Sequence, residues 1–168
     1  MVNDRVQMLK EGYETYRQQE QTYQFPAFGR EDVWELGCDL VESCKDFDGP
    51  LAVEIYIGDV MMFRYFPPDT GTLHEMWLGR KRNTVRALGK SSMLVAAELA
   101  VSGQTIVDVL PGLPKGDDYA DCGGGFPLRT QDGCIFGFVG VSGMADTLDH
   151  AALVGGLDRF FRRRGWVK

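Results

Sequence analysis

The segment LAVEIYIGDVMMFRYF, residues 51–66, constrains the fold most, because its pattern is that of a β-hairpin. Large apolar residues alternate with smaller or polar ones along its first half, at Leu51, Val53, Ile55 and Ile57. A period of two is typical of a strand with one buried face. The dipeptide Gly58-Asp59 fits a two-residue hairpin turn. Two antiparallel strands are therefore predicted near the first third of the chain.

A second strand pair is predicted later in the chain, and helical patterns surround both pairs. The stretches GFPLRT and CIFGFVGVSG are joined at QDG. Apolar residues near the helical period predict helices over about 3–21, 33–44, 73–88 and 147–161. Ser91 or Ser92 can cap a short helix through MLVAAELA, and Thr72 begins the S/T-x-x-E capping pattern that ends at Glu75. This order of elements predicts an α+β domain with a mostly antiparallel sheet covered by helices.

Length and composition are those of one globular domain. The chain has 168 residues, of which 44% are hydrophobic and 25% charged, and no internal repeat or linker divides it. No apolar run reaches the ~18 residues of a transmembrane helix, and the N-terminus lacks the apolar core of a signal peptide. The four cysteines are scattered and form no C-x-x-C pair. We therefore expect a cytoplasmic protein with reduced thiols and no membrane partner.

The stretch WLGRKRNTVRALGKSSM, Trp77 to Met93, concentrates positive charge in a chain whose formal charge is -6. It has no carboxylate and five basic residues, Arg80, Lys81, Arg82, Arg86 and Lys90. A structural salt bridge, an anionic ligand and a nucleic acid are three possible roles for it. Because non-specific affinity for nucleic acid depends on net charge, the acidic chain argues against the third, and no nucleic-acid partner is expected.

A helix starting near Leu73 would carry two apolar stripes. The first, which is expected to face inward, contains Leu73, Met76, Trp77, Arg80, Thr84 and Leu88, and the second contains Leu78, Lys81, Val85 and Leu88. A helix that is apolar on two sides suits burial against its own sheet and against another subunit. Because an isolated buried cation is costly, Arg80 would need a paired anion.

Other candidate residues are glycines and histidines. The stretches CGGGFP and GVSG would allow either a strand-end turn or close approach of the backbone to a ligand, and neither is a G-x-G-x-x-G or Walker motif. His74 and His150 could each ligate a metal or haem iron, or hydrogen-bond a neighbouring loop. Their spacing with the cysteines is not that of a zinc site. No G-x-S-x-G elbow is present, so these residues make no strong case for an enzyme.

The stretch CGGGFPLRTQDGCIFGFVGVSGMADTLDH resembles the glycine-rich and VSG signature of the haem-degrading-domain family, also called HbpS-like or GlcG-like. WLGRKRNTV followed by SS is similar to the W-x-x-RKRNTV…SS block of its cytosolic branch. That branch also has a DH pair, here Asp149-His150. The resemblance predicts an HbpS-like core over residues 31–161, with a peripheral N-terminal helix in residues 1–28 and a basic tail in residues 162–168.

This resemblance implies a profilin-like α-β-α sandwich that forms homo-oligomers, either dimers or larger assemblies. It links relatives to haem or iron binding and to redox sensing, and the cytosolic branch to chaperone or targeting partners. The H-E-x-x-E metal-binding pattern of secreted relatives has no counterpart, because His74-Glu75 is followed by Met76, Trp77 and Leu78. Haem degradation is therefore not carried over to this chain.

Two functional hypotheses follow. In the first, the homo-oligomer binds a small anionic or tetrapyrrole (haem-type) ligand without robust catalysis, and His150 or His74 reaches the iron. The expected ligand-binding residues are Arg80, Lys81, Arg82, Asn83, Gly123, Gly124, Gly125, Asp149 and His150. In the second, the chain is a non-catalytic assembly or adaptor protein, and the basic block holds subunits together. An enzyme acting on a small metabolite is a third alternative.

Overall fold

A computed structural model describes residues 2–110, 112 and 118–167, with side chains from residue 4 onward. The helices are α1 (Val2–Thr22), α2 (Arg30–Cys44), α3 (Thr72–Leu88), α4 (Ser92–Ser102), α5 (Ile106–Val109) and α6 (Asp146–Arg163). The strands are β1 (Gln24–Phe25), β2 (Ala52–Ile57), β3 (Val60–Tyr65), β4 (Gly125–Thr130) and β5 (Ile135–Ser142). They form one sheet in the order β1-β4-β5-β2-β3.

Both predicted strand pairs are present in this sheet. β2 and β3 are antiparallel neighbours joined at Gly58-Asp59, and β4 and β5 are antiparallel neighbours joined through residues 131–134. Gly58 has a φ of 56°, which glycine adopts at little cost. β1, which is parallel to β4, was not predicted, because two residues are too few to show a period. The prediction of an α+β fold with a mostly antiparallel sheet is confirmed.

Helices cover the two faces of the sheet and give three layers. On one face, β2 and β5 contribute Val53, Ile55, Val139 and Val141 to a core shared with α2 and α6. Residues of β5 at alternate positions point the other way, and there Gly140 lies against Leu78 of α3. The sheet therefore lies between α2 and α6 on one side and α3 on the other.

The N-terminal helix α1 lies beside these layers and packs along α4, where Leu9 contacts a cluster of Met93, Ala96 and Ala97. Ser91 caps α4 as predicted, since its hydroxyl accepts the backbone N–H of Leu94 at 3.1 Å. The predicted peripheral helix is thus fixed to the domain along its length.

The predicted basic tail, residues 162–168, begins inside α6, and its described residues, 162–167, are packed onto the domain. Lys168 lies outside the described residues. Arg163 forms ion pairs of 2.5 Å with Glu35 and Asp39 on the solvent side of α2. The Trp166 ring lies 5.2 Å from that of Phe161. Carboxylates on α2 and an aromatic anchor explain why this basic segment folds back.

The structure corrects two expectations about α3. Gly71, and not Thr72, is the N-cap, and the ring of His74 accepts the Gly71 N–H in the position that the Glu of a capping box would occupy. The stripe through Arg80 is also not the buried face, because Leu73 is 63% and Met76 60% exposed. The buried face contains Leu78, Lys81, Thr84 and Val85. Two overlapping apolar stripes made the orientation ambiguous, and distant partners of the helix decide it.

Candidate functional site

A cleft of about 300 Å³ lies between the start of α3, the segment before β4 and the start of α6. Its lining combines apolar, aromatic and ionisable side chains, namely Leu73, His74, Trp77, Lys81, Cys122, Ser142, Met144, Asp146 and Asp149, with the backbone of Gly143. This volume is at the lower end of the ~300–1,000 Å³ that small-molecule pockets span. The cleft brings together the first turns of two helices that are far apart in the sequence.

The floor of the cleft is a buried ion pair between Lys81 and Asp149, which are 2% and 3% exposed. The Lys81 ammonium donates to Asp149 at 2.8 Å and to the Val141 carbonyl at 2.9 Å. The second carboxylate oxygen of Asp149 accepts the Met144 N–H at 2.9 Å. Burial raises the pKa of Asp149, and the Lys81 ammonium opposes that rise. Lys81, and not Arg80, is therefore the buried cation of the basic stretch.

Gly124 makes this ion pair possible. Its φ is 104°, and a Cβ there would lie 2.3 Å from the Val141 oxygen and 2.7 Å from the Lys81 nitrogen. A Cβ on Gly123 would similarly lie 2.4 Å from the Asp146 oxygen, and the Gly125 N–H donates to Ser92. The groups that these glycines approach belong to the protein itself, as the strand-end alternative expects.

Trp77 forms an aromatic wall of the cleft and is 37% exposed. The Arg80 guanidinium lies 4.4 Å from its ring centroid and donates to the Tyr119 carbonyl at 3.2 Å. Such a cation–π contact stabilises the ring in one orientation. The Arg80 Nε is buried and has no hydrogen-bond partner among the described residues. Arg80 thus supports the wall and is not among the residues that line the cleft.

The remaining residues of the basic block point away from the cleft. Arg82 forms a 2.5 Å ion pair with Glu54 and stacks on Tyr56. The Asn83 amide donates to the Asp118 carbonyl at 3.0 Å. Lys81, Arg82 and Asn83 are successive residues of α3, and a rotation of about 100° between neighbours directs their side chains to different partners. The predicted ligand site is therefore not assembled as a whole: the structure brings together Lys81, Gly124 and Asp149.

His150 lies on a different side of α6 from the cleft floor. Its Nε2 is 2.8 Å from the Gln19 side-chain oxygen, and it lines a separate cavity of about 500 Å³ together with Tyr16, Gln19 and Met93. Burial, reinforced by the Lys81 ammonium, lowers the pKa of His150 to about 3. Its Nδ1 is buried without a partner among the described residues. His150 is therefore a neutral histidine that joins α6 to α1.

His74 lines the cleft, but its Nδ1 already accepts the Gly71 N–H at 3.1 Å. The proton of the neutral ring must then be on Nε2. Burial raises the pKa of the Cys122 thiol to about 11, so the thiol is protonated at neutral pH. Within the described part of the chain, no three His, Cys, Asp or Glu side chains are grouped to hold a metal ion.

The cleft is electrically balanced. Asp146, at its rim, pairs with Arg5 of α1 at 2.9 Å, and Asp149 pairs with Lys81. Arg5 also donates to the Asp121 carbonyl at 2.8 Å, which joins α1 to the segment before β4. Two carboxylates thus meet two cations. The cleft residues that were not among the predicted site residues are Leu73, Trp77, Cys122, Ser142, Gly143, Met144 and Asp146. Only the tertiary fold places them together.

Comparisons with known proteins agree with this fold. The UPF0303 protein of Streptomyces coelicolor is 32% identical over 143 residues, which is 85% of this chain and 89% of that protein. The crystal structure of Ybr137w has a TM-score of 0.79 at 20% identity and covers 90% of this chain and 88% of its own. The crystal structure of a PduOC:heme complex has a TM-score of 0.63 at 20% identity, with coverages of 79% and 94%.

Among the described helices, none is long and apolar enough to cross a membrane. The sequence model of the family described as haem degrading protein HbpS-like matches residues 28–158. That match covers most of the three-layered core and both sides of the cleft, and it leaves all of α1 and β1 outside. With the relative above, it shows that the chain belongs to the HbpS-like haem-degrading protein family.

Proposed function

We propose that the cleft binds a planar, largely apolar ring ligand of the tetrapyrrole type, stacked on Trp77. The observation that carries the proposal is the partly exposed ring of Trp77, which lies beside the buried Lys81–Asp149 ion pair in the same cleft. Leu73, which is exposed at the start of α3, extends the apolar surface at the mouth of the cleft. Exposed aromatic and apolar side chains at a concave surface are typical of ligand sites. The structural neighbour solved as a haem complex supports this ligand class.

A small anion fits the cleft less well than a ring. Lys81 already binds Asp149 and Val141, and Arg5 already binds Asp146. Because each cation is already paired with a carboxylate, the cleft has no excess positive charge to attract a phosphate or carboxylate. A tetrapyrrole is larger than the cleft and would project across Leu73, with its acidic groups in solvent.

We propose that the cleft binds its ligand without catalysing a reaction. The Cys122 thiol is protonated at neutral pH, because burial raises its pKa. Lys81 and Asp149 are each satisfied by hydrogen bonds within the protein. These groups are therefore not poised as a nucleophile or as a general base. We propose that the chain acts as a ligand-binding protein of the cytoplasm.

A hemin titration of the purified protein tests the proposal. Trp77→Ala should weaken hemin binding about tenfold, which corresponds to ~1.4 kcal/mol of lost stacking and contact area. Trp34→Ala is the matched control, because Trp34 is 69% exposed on α2, away from the cleft. Hemin absorbance and quenching of tryptophan fluorescence would report binding.

Wild type and Trp34→Ala should bind hemin equally. Equal weakening in both tryptophan variants, or no Soret change in the wild type, would contradict the site. Melting temperatures would show that Trp77→Ala is folded.

The competing hypothesis, that the chain is an assembly or adaptor protein, is favoured by one observation. β3 is an edge strand of the sheet, and its exposed side chains include Val60, Met61 and Tyr65. An apolar edge strand is a template for pairing with another chain. A second copy of this chain is the partner that this edge would pair with. Arg80, by contrast, makes its contacts within its own chain.

We expect Met61→Lys to shift the protein toward smaller species in light scattering. A lysine on an edge strand opposes strand pairing, because its charge would lose water in the interface. Leu73→Lys is the control, since Leu73 is similarly exposed but lies on α3. An unchanged mass for Met61→Lys would exclude β3 as the interface between copies.

A further inference from the structure

We infer that the cleft recognises the flat ring itself and leaves a metal ion at the ring's centre without a histidine ligand. This inference rests on the proposed function, because it specifies how a tetrapyrrole is held there. It follows from the hydrogen bonds and contacts that each potential metal-ligating atom around the cleft already makes within the protein. The ligand class would then be planar macrocycles with or without a metal.

His74 is the one histidine that lines the cleft in the described structure, and it is bonded in the wrong sense for ligation. A histidine that ligates a metal through one nitrogen usually donates the N–H of its other nitrogen to an oxygen acceptor. Here Nδ1 faces a donor, the Gly71 N–H at 3.1 Å. If Nε2 gave up its proton to Nδ1 in order to bind iron, two N–H groups would face each other. Ligation would therefore break the hydrogen bond between Gly71 and His74 at the N-terminus of α3.

His150 cannot replace His74 in this arrangement. It lines the cavity beside Tyr16 and not the cleft that contains Trp77. Its Nε2 is bonded to Gln19, and its Nδ1 is buried. A ring stacked on Trp77 would lie on the Asp149 side of α6, so the imidazole of His150 is out of reach.

The other soft or nitrogen donors of the cleft are also occupied. The Lys81 ammonium donates hydrogen bonds to the Asp149 carboxylate and the Val141 carbonyl. Burial raises the pKa of the Cys122 thiol to about 11, which disfavours the thiolate that would ligate a metal. The Met144 sulfur packs closely against Gly49, where a Cβ would lie 2.9 Å from it. Stacking on Trp77 is consequently the interaction that remains to hold a ring, and stacking does not require a metal.

The test compares three probes on the same protein: hemin, zinc protoporphyrin and metal-free protoporphyrin IX. We expect their dissociation constants to agree within about threefold. Trp77→Ala should weaken all three in parallel, by about tenfold, a factor equivalent to ~1.4 kcal/mol. His74→Gln should leave hemin affinity within about threefold of wild type, because a glutamine oxygen can still accept the Gly71 N–H. The absorption spectrum of bound hemin should lack the signature of an imidazole ligand.

The inference would be overturned if the protein bound hemin more than tenfold more tightly than metal-free protoporphyrin and if His74→Gln removed that difference. The proposed function would remain intact. Binding of none of the three probes would instead overturn the proposed function and this inference with it. The comparison of probes on the wild-type protein does not depend on whether any variant folds.

Discussion

Replacing Lys81 with methionine is expected to destabilise the protein by about 3–5 kcal/mol, because it leaves the Asp149 carboxylate buried without its cation. Asp149→Leu should cost a similar amount, since the Lys81 ammonium would keep only the Val141 carbonyl as a partner. Both side chains are almost fully buried, so water cannot replace the missing partner. Chemical denaturation followed by circular dichroism, at one protein concentration, would measure the loss.

The double variant Lys81→Met/Asp149→Leu should recover most of that stability. It removes both charges and leaves apolar side chains of similar size, so no uncompensated charge is buried. Lys45→Met serves as the control, because the Lys45–Glu42 pair is exposed and should contribute little. If the double variant is as unstable as the two single losses combined, the pair does not act as a unit. Hemin binding by the double variant would show whether binding requires the Lys81–Asp149 ion pair or only Trp77.

Lowering the pH from 8 to 5.5 should destabilise the protein by about 1.4 kcal/mol through His150 alone. Burial lowers the folded-state pKa of His150 to about 3, whereas the unfolded chain protonates it near 6.5. Below pH 6.5 the unfolded state therefore binds a proton that the folded state excludes, and stability falls as the pH falls. The full stabilisation of the neutral ring is present above about pH 6.5 and declines toward the folded-state pKa.

The difference between wild type and His150→Gln isolates this contribution from the carboxylates. A glutamine side chain at position 150 can still contact Gln19 but does not titrate. The free energy of unfolding of His150→Gln should therefore change less between pH 8 and 5.5 than that of the wild type. The Lys81 ammonium and the Asp146 carboxylate also act on His150, the first lowering and the second raising its pKa. Denaturation midpoints at several pH values would measure the effect, and the range stops above the sequence pI of about 4.9 to keep the protein soluble. Parallel curves for the two proteins would contradict a buried neutral His150.

Much of the architecture could be predicted because it depends on local patterns. The period of two at residues 51–57 and the Gly58-Asp59 turn gave the first strand pair. The serine before MLVAAELA gave the cap of α4. β1 could not be predicted in the same way, because two residues form a strand only where β4 is available to pair with them. Local signals thus predict elements that are long enough to repeat a pattern.

The candidate site was predicted only in part, for a geometric reason. The basic block and the Asp149-His150 pair were both identified, but neighbouring residues on a helix point in different directions. Lys81 reaches the cleft while Arg82 meets the fully buried carboxylate of Glu54. Asp149 lies on the cleft side of α6 while His150 faces α1. Periodicity shows that a helix has faces, and contacts between distant segments decide which face is buried.

The sequence by itself determined the order of helices and strands, the α+β class and the family, because these depend on short-range patterns and on blocks of residues in order. The tertiary structure alone decided that Lys81 is the buried cation, that Gly124 leaves space for it, and that His74 caps α3. Each of these depends on groups that lie far apart in the chain and meet only in the fold. A charge among apolar residues predicts a partner, but only packing shows whether that partner is a carboxylate of the same chain.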